Sequence, residues 1–212
     1  FGPKRSFQSA FCIFGGWEDK EIVGWKNTEL FFQILKRHSV VFRKEDCLSL
    51  PPKMYQTITL PMNPDQKKAY RRAQNGAVGD QPVTNVLTQI MKMRQISSGF
   101  VYTEDDTVLF GTPKVEYLNS IAWDTPTIIW FNYKREREDI CNTLQDLGVT
   151  YAVADGSHDA YDAVQHFEAS RVKVLVAQFQ SVQYGHTANQ AGRVIFYSPA
   201  QSQLQRSQSE DR

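Results

Sequence analysis

Two short segments combine side chains and backbone amides in a way that suits phosphate binding. In Asn132-Tyr133-Lys134-Arg135 an amide side chain and two cations follow one another, and such groups contact phosphate oxygens. The carboxylates that come next, Glu136, Glu138 and Asp139, fit the solvated start of an ordinary helix equally well. The residues alone favour neither of these two interpretations.

Asp155-Gly156-Ser157 is the second candidate segment. Without further context, it predicts a turn whose serine caps the following helix. In the functional alternative, the amino terminus of that helix lies near a phosphate group.

The stretch of residues 178–212 is the third candidate. Gln208 and Arg212 are four residues apart, so on a helix both side chains can point at one anion. Gly185 and Thr187 are expected on the same edge of the fold. The pattern is weak by itself, because glutamine-rich helix starts are common.

Several motifs that define enzyme classes do not occur in the sequence. There is no GxxxxGK[ST] phosphate-binding loop, and the nearest string, GTPK at residues 111–114, has the wrong spacing and no strand before it. GxSxG and GxGxxG do not occur either, which removes the main support for hydrolase and dinucleotide-binding functions. Histidines and cysteines show no metal-binding spacing. The chain therefore lacks the usual means of binding ATP by itself, and no metal site is expected.

Charge is balanced overall but divided unevenly along the chain. The 212 residues include 24 Lys and Arg and 23 Asp and Glu, a net charge of +1, which excludes a highly basic protein that coats nucleic acid. Residues 1–110 hold 15 cations and 11 anions, and residues 111–212 hold 9 and 12. This division fits either ordinary scatter or an acidic core domain with a basic attachment.

The sequence also indicates a compartment. It contains no run of about 18 apolar residues and does not begin with a signal peptide. The three cysteines are far apart, which favours a reducing compartment. We expect an intracellular protein and not a secreted one. Because the chain lacks an initiator Met, we expect it to be a piece of a longer protein.

Strands and helices alternate in the second half of the sequence. Short apolar runs predict strands at residues 127–131, 151–154, 172–177 and 194–197, with helical patterns between them. This alternation predicts βαβ units, and hence an α/β fold with a parallel sheet and helices on both faces. Ligands of such sheets bind beyond the carboxyl ends of the strands, where all three candidate segments fall.

Residues 1–110 are predicted to be mainly helical. Helices are expected to begin at Asn27-Thr28 and at Asn63-Pro64. The apolar residues between Val83 and Met91 have the spacing of a helix that is buried on one face, and residues 54–60 alternate as in a strand.

Taken in order, these segments resemble the Swi/Snf-type ATP-dependent DNA translocases of helicase superfamily two, with most similarity to the annealing-helicase branch and to phage-type relatives. The first half of the resemblance rests on residues 22–27 (IVGWKN), 42–53 (FRKEDCLSLPPK), 64–70 (PDQKKAY), 93–99 (MRQISSG) and 111–114 (GTPK). The second half resembles motif IV at 128–133 (IIWFNY), the family's DGS at 155–157, motif V from 174 to 191 and the opening of motif VI at 208–212 (QSEDR).

The resemblance implies a domain organisation. Residues 111–212 would form a RecA-like helicase C-terminal lobe that is truncated within motif VI. Residues 1–110 would be a mainly helical insertion between two motor lobes. The intact parent, expected to be a monomer, would hydrolyse ATP and move along double-stranded DNA. It would do so in the cytoplasm of a bacterium or phage-infected host, or otherwise associated with DNA inside a cell. Its Mg would be held by the missing first RecA-like lobe of the same protein, so the 212-residue chain alone is expected to be inactive.

The resemblance also assigns roles to residues. Gly185, Gln208 and Arg212 would face the nucleotide, with Arg212 as the catalytic residue. In the family, the arginine that helps to stabilise the transferred phosphoryl charge is the second one of motif VI, three residues further along. The residues that would contact the DNA backbone are Asn132, Lys134, Arg135, Ser157 and Thr187.

Three features depart from the family pattern. Val182 and Gln183 stand where motif V often has paired glycines, Arg43-Lys44 stands where relatives often have an arginine pair, and the chain ends before the second arginine of motif VI. The altered motif V favours an alternative, a non-catalytic DNA- or protein-binding module derived from such a lobe. A small stand-alone α/β enzyme ranks last, because the sequence contains no acid, base or nucleophile constellation for it.

Overall fold

The computed structural model describes residues 2–42, 53–79, 81–83, 85–104, 106–182 and 188–210. The chain divides into two compact units, residues 1–57 and residues 58–212. None of the helices in these ranges is long and apolar enough to cross a membrane.

The first unit contains two helices and a hairpin. Helix α1 (Lys4–Phe11) leads into strands β1 (Cys12–Gly15) and β2 (Glu21–Trp25), which pair antiparallel, and helix α2 (Thr28–His38) follows. The rings of Phe7, Phe11 and Phe31 pack together with centroids 5.3–6.2 Å apart. The helix predicted after Asn27 is confirmed, but the Asn27 side chain donates to the Ala10 carbonyl oxygen (2.8 Å) instead of capping it.

The second unit begins with helix α3 (Pro64–Gln74), the small hairpin of β3 (Ala77–Val78) and β4 (Gln81–Pro82), and helix α4 (Val86–Ser97). A second hairpin, of β5 (Phe100–Tyr102) and β6 (Thr107–Leu109), follows. The predicted start of α3 is confirmed in detail: Asn63 and Gln66 form a reciprocal capping box after which Pro64 opens the helix.

Two predictions for this region are wrong. Residues 53–60 form no strand, since no neighbouring strand pairs with them among the described residues. The apolar stripe of α4 is solvent-exposed, with Val86 and Leu87 each 67% accessible, and the buried residues of α4 are Gln95 and Ile96. Spacing predicted a helix correctly, but it did not identify the face that packs.

The rest of the second unit is the predicted α/β fold. Its strands are β7 (Thr127–Phe131), β8 (Tyr151–Ala154), β9 (Val174–Gln178) and β10 (Arg193–Phe196), which form one parallel sheet in the order β10-β7-β9-β8. Its helices are α5 (Pro113–Ser120), α6 (Lys134–Asp146), α7 (Ala160–Glu168) and α8 (Gln203–Glu210). This arrangement is consistent with a RecA-like lobe.

The strands alternate their side chains between two hydrophobic layers. Ile128, Leu175 and their same-face neighbours pack with α7, whereas Ile129, Val176 and theirs pack with α5 and α6. All five residues of β7 are buried, as expected for a central parallel strand. Helices therefore cover both faces of the sheet, as predicted.

The winding of the chain reverses within this sheet. From β7 the chain moves through α6 to β8, two places away, and then returns through α7 to β9 between them. Because parallel crossovers are right-handed, a reversal of direction places the next helix on the opposite face. The connections leaving the neighbouring strands β7 and β9 thus run in opposite directions, which is the condition for a ligand crevice at their carboxyl ends.

Candidate functional site

Hydrogen bonds join the ends of three strands at the carboxyl edge of the sheet. Asn132, directly after β7, donates from Nδ2 to Ser198 Oγ (2.8 Å) and to the Pro199 carbonyl oxygen (2.9 Å). Gln178, at the end of β9, donates from Nε2 to the Asn132 carbonyl oxygen (3.2 Å). The turn after β7 is therefore held from both neighbouring strands.

A buried carboxylate, Glu136, lies beneath this turn. Its side chain is 0% exposed. Oε2 accepts from the backbone amides of Asn132 (2.9 Å) and Tyr133 (3.1 Å) and from Ser198 Oγ (2.9 Å). Oε1 accepts from Ser98 Oγ (2.5 Å). Four donors satisfy the charge without solvent, which is what a buried carboxylate requires.

Lys114 is the cation closest to this carboxylate along the hydrogen-bond chain. Its Nζ donates to Ser98 Oγ (2.9 Å) and to the Tyr197 carbonyl oxygen (2.7 Å), and it lies 4.9 Å from the centre of the Tyr197 ring. Burial lowers the pKa of Lys114, an effect that the negative charge of Glu136 opposes. Ser98 therefore bridges a lysine and a glutamate by accepting from one and donating to the other.

Gly99 fixes the position of Ser98. It ends α4 with a φ of +94°, and a Cβ there would lie 2.8 Å from the Gly111 carbonyl oxygen and 2.7 Å from Thr112 Cβ. No side chain fits in this space, and the left-handed backbone also disfavours one. The close approach brings the end of α4 against the start of α5, where Lys114 lies.

The two cations after the turn differ in their surroundings. Lys134 is exposed at the first position of α6. Arg135 is paired on its own helix with Asp139 (2.7 Å) and Glu138 (3.5 Å). Of the three carboxylates, Glu138 is exposed as the solvated-helix interpretation expects, Asp139 is half-buried, and Glu136 is buried.

A second buried carboxylate, Asp155, follows β8. It accepts from the Ser157 amide (2.8 Å), from Arg137 Nη1 (2.7 Å) and from His158 Nδ1 (2.7 Å). Burial raises the pKa of Asp155, but the hydrogen bonds from His158, Ser157 and Arg137 outweigh it and hold the pKa at about 2. Arg137 belongs to α6, so this ion pair ties the end of β8 to the helix that starts at the Asn132 turn.

Ser157 is exposed in this loop and does not cap the helix. Asp159 caps α7 instead, with Oδ1 accepting from the amides of Tyr161 (2.8 Å) and Asp162 (3.2 Å). The prediction of a turn is confirmed, and the prediction of a serine cap is wrong. The hydroxyl of Ser157 is therefore not used as the cap of α7.

Gln208 is half-buried on α8. Gly185, Thr187 and Arg212 lie outside the described residues. The loop that leads from β10 to α8, residues 199–203, lines an open cavity of about 400 Å³ together with Arg206, whose guanidinium stacks on the Phe196 ring at 3.5 Å.

The described residues contain no cluster of three or more His, Cys, Asp or Glu side chains that could hold a metal ion. Of the three residues expected to face ATP, the structure describes Gln208 alone. Gly185 and Arg212 lie outside the described residues, so these residues do not include the full set that would face a nucleotide.

Sequence reasoning missed the two buried carboxylates. One of the two interpretations of this segment places Glu136 on a solvated face. A glutamate three residues after the N-cap residue, however, has the spacing of a capping box. That spacing was the available signal. The contribution of Ser98 has no local signal, because its partner is 38 positions away.

Comparisons with solved structures find a number of chains of similar fold. The chain is similar to the crystal structure of the helicase domain of Hef from Pyrococcus furiosus, with a TM-score of 0.41 and 22% sequence identity, over 69% of this chain and 31% of that chain. The chain thus spans about a third of the length of that domain. No protein-family model matches the sequence, and no curated protein matches it.

Proposed function

We propose that this chain is the second motor lobe of an ATP-dependent double-stranded-DNA translocase of the Swi/Snf type. The ordered set of sequence motifs supports the class. The observation that carries the proposal is the fixed turn at Asn132 and Tyr133, whose two amides are held by buried Glu136 at the point where the winding of the sheet reverses. A turn held this rigidly suits repeated contact with a charged, regular ligand such as a DNA backbone.

In this proposal, the five residues that the resemblance assigns to the DNA backbone have two different roles. Both amide hydrogens of Asn132 are used within the chain, so we assign Asn132 to shaping the turn. Lys134, Arg135 and Ser157 would contact phosphates from the two loops that Arg137 and Asp155 tie together. Thr187 would contribute a further contact. Such contacts are independent of sequence and weaken with salt.

The nucleotide would bind between this lobe and a first lobe of the same protein, which would supply the phosphate-binding loop and the Mg ligands. Gly185, Gln208 and Arg212 would face the nucleotide from this side. When bound, ATP would supply the free energy that drives closure of the two lobes. The chain alone would not turn over ATP, because it holds one half of such a site.

Duplex binding by the 212-residue chain tests the DNA part of this proposal. We expect weak binding with a strong salt dependence, and Lys134→Ala with Arg135→Ala should lower the affinity about threefold to tenfold and reduce the salt slope by about one or two. Lys173→Ala, at the opposite edge of the sheet, is the matched control. Equal losses in the control and the double variant would contradict the assignment.

ATP hydrolysis by the longer protein tests the enzymatic part. We expect DNA-stimulated turnover that collapses, by about a factor of a thousand, in Arg212→Ala, because positioning and charge at the phosphates supply most of the rate of phosphoryl transfer. Duplex binding without any turnover would favour the alternative below.

The alternative is a non-catalytic DNA- or protein-binding module. One observation favours it: Val182, at a position where the family often has glycine, is buried in the hydrophobic layer that also contains Phe179 and Ala188. A packed valine makes the start of this loop less open to a nucleotide than paired glycines would.

A further inference from the structure

His158 is a chemically competent side chain that the proposed function leaves unused. Its side chain is 51% exposed in the loop between β8 and α7, next to Ser157. Its Nδ1 lies 2.7 Å from Oδ1 of Asp155, which also binds the Ser157 amide and Arg137. The imidazole is therefore oriented by a buried carboxylate that is itself fixed by two other groups.

This geometry determines which ring nitrogen carries the proton. Asp155 is ionised at neutral pH, since its pKa is about 2, and an ionised carboxylate can only accept hydrogen bonds. Nδ1 must then be the protonated nitrogen of the neutral ring. Nε2 is left as an acceptor on the far side of the ring, and no partner for it is found within the described ranges.

The solvent-facing nitrogen Nε2 is a hydrogen-bond acceptor in the neutral ring and a donor in the protonated ring. With one proton, the outer nitrogen Nε2 offers a lone pair, which repels a phosphate oxygen. With two protons, it offers an N–H donor and a positive charge, which bind one. A histidine held in this way can bind a phosphate group only together with a proton.

The charged groups around the ring come from three elements. Arg137 on α6 faces Asp155 and not the outer side of the ring. Asp159, the next residue, is engaged at the start of α7, and Asp162 lies on the same helix near His166 (3.6 Å). Cys141 and Tyr151 have pKa values raised chiefly by burial and stay neutral near pH 7. None of these groups supplies a cation to the outer face of the loop.

We propose that His158 is a proton-coupled contact for a DNA phosphate, oriented by Asp155 and placed beside Ser157. The inference rests on the proposed function, since a duplex at this edge of the sheet is the ligand that brings a phosphate to the loop. Binding of a phosphate requires a proton at Nε2 and breaks no bond. Duplex affinity should therefore rise as the pH falls.

The test is the pH dependence of duplex binding by the 212-residue chain, measured by fluorescence anisotropy with a short labelled duplex at constant ionic strength. Between about pH 8 and about pH 5.5, we expect the wild-type affinity to rise about fivefold, as for one exposed ion pair. His158→Gln keeps a polar side chain but cannot take up a proton, and it should remove most of this rise. His166→Gln, at the other end of α7, should keep the rise.

A second measurement separates this contact from a general change in charge. The imidazole resonances of His158, followed by NMR as the pH is varied, should titrate at a higher pH with saturating duplex than without it, and those of His166 should not move. A pH-dependent affinity that persists in His158→Gln would overturn the inference and leave DNA binding intact. The absence of duplex binding at every pH and salt concentration would overturn the proposed function and the inference together.

Discussion

Glu136 and Asp155 occupy similar places and do different work. Each is a buried carboxylate near the carboxyl end of a parallel strand, and each binds backbone amides of the adjacent turn. Glu136 is closed in by two serine hydroxyls and two amides. Asp155 instead binds two side chains that can be charged, one of which, His158, extends into solvent. One carboxylate shapes a turn from inside, and the other presents a side chain to the outside.

The largest effect is expected from Glu136→Gln. The carboxamide cannot accept from four donors, and it leaves half-buried Lys114 without its counter-charge, so the free energy of unfolding should fall by about 3 kcal/mol. Urea denaturation measures this change. Glu138→Gln, an exposed position on the same helix, should change it by less than about 0.5 kcal/mol. A loss below about 1 kcal/mol in Glu136→Gln would contradict the enclosed network.

Lys114→Met tests the other end of the same hydrogen-bond chain. The methionine fills the space of the lysine stem but leaves Ser98 Oγ and the Tyr197 carbonyl oxygen without a donor, so we expect a loss of about 2 kcal/mol. The double variant with Glu136→Gln should lose less than the sum of the two single losses, because the two residues share one network. Strict additivity would show that Lys114 and Glu136 act independently.

Asp155→Asn should cost about 2 kcal/mol at neutral pH, since a carboxyl whose pKa falls from its usual value to about 2 is stabilised by that amount. A carboxyl whose pKa is lower in the folded state stabilises the fold at pH values above its unfolded-state pKa. This contribution is lost as the pH falls through the folded-state pKa. The difference between wild type and variant should therefore shrink between about pH 4 and about pH 2. Denaturation at several pH values measures it, and a constant difference across that range would rule out the ionised carboxylate as its source.

The smallest effect is expected from His158→Gln, with a change in stability below about 1 kcal/mol at pH 7, because half of the ring is exposed and the contact is a surface one. Thermal unfolding beside His166→Gln measures it. A loss as large as that of Asp155→Asn would mean that the imidazole supports the loop and is not merely presented by it.

The sheet could be predicted from the sequence because its strands are short, apolar and separated by helical patterns. The four strands lie within two residues of their predicted bounds. The order β10-β7-β9-β8 could not be predicted, because strand order depends on which faces pack and not on local pattern. The same limit explains α4, whose stripe has helical spacing and yet faces solvent.

The candidate site could be predicted at the level of loops and not of individual contacts. The turns at Asn132 and Asp155 follow from the rule on the carboxyl ends of parallel strands. The pairing of Ser98 with Glu136 depends on residues that are far apart in the sequence, and the burial of Glu136 follows from that pairing. Whether Gly185, Gln208, Thr187 and Arg212 act as the family resemblance implies stays a prediction.

Ser98 has a consequence for how the chain can be divided. It directly follows α4, yet its hydroxyl donates a hydrogen bond to Glu136 on α6 and accepts one from Lys114. A recombinant piece beginning at residue 111 would carry the whole parallel sheet but would lose one of the four donors to Glu136 and expose that oxygen to solvent. We therefore expect a piece that extends back across α4 to be more stable than one that begins at residue 111.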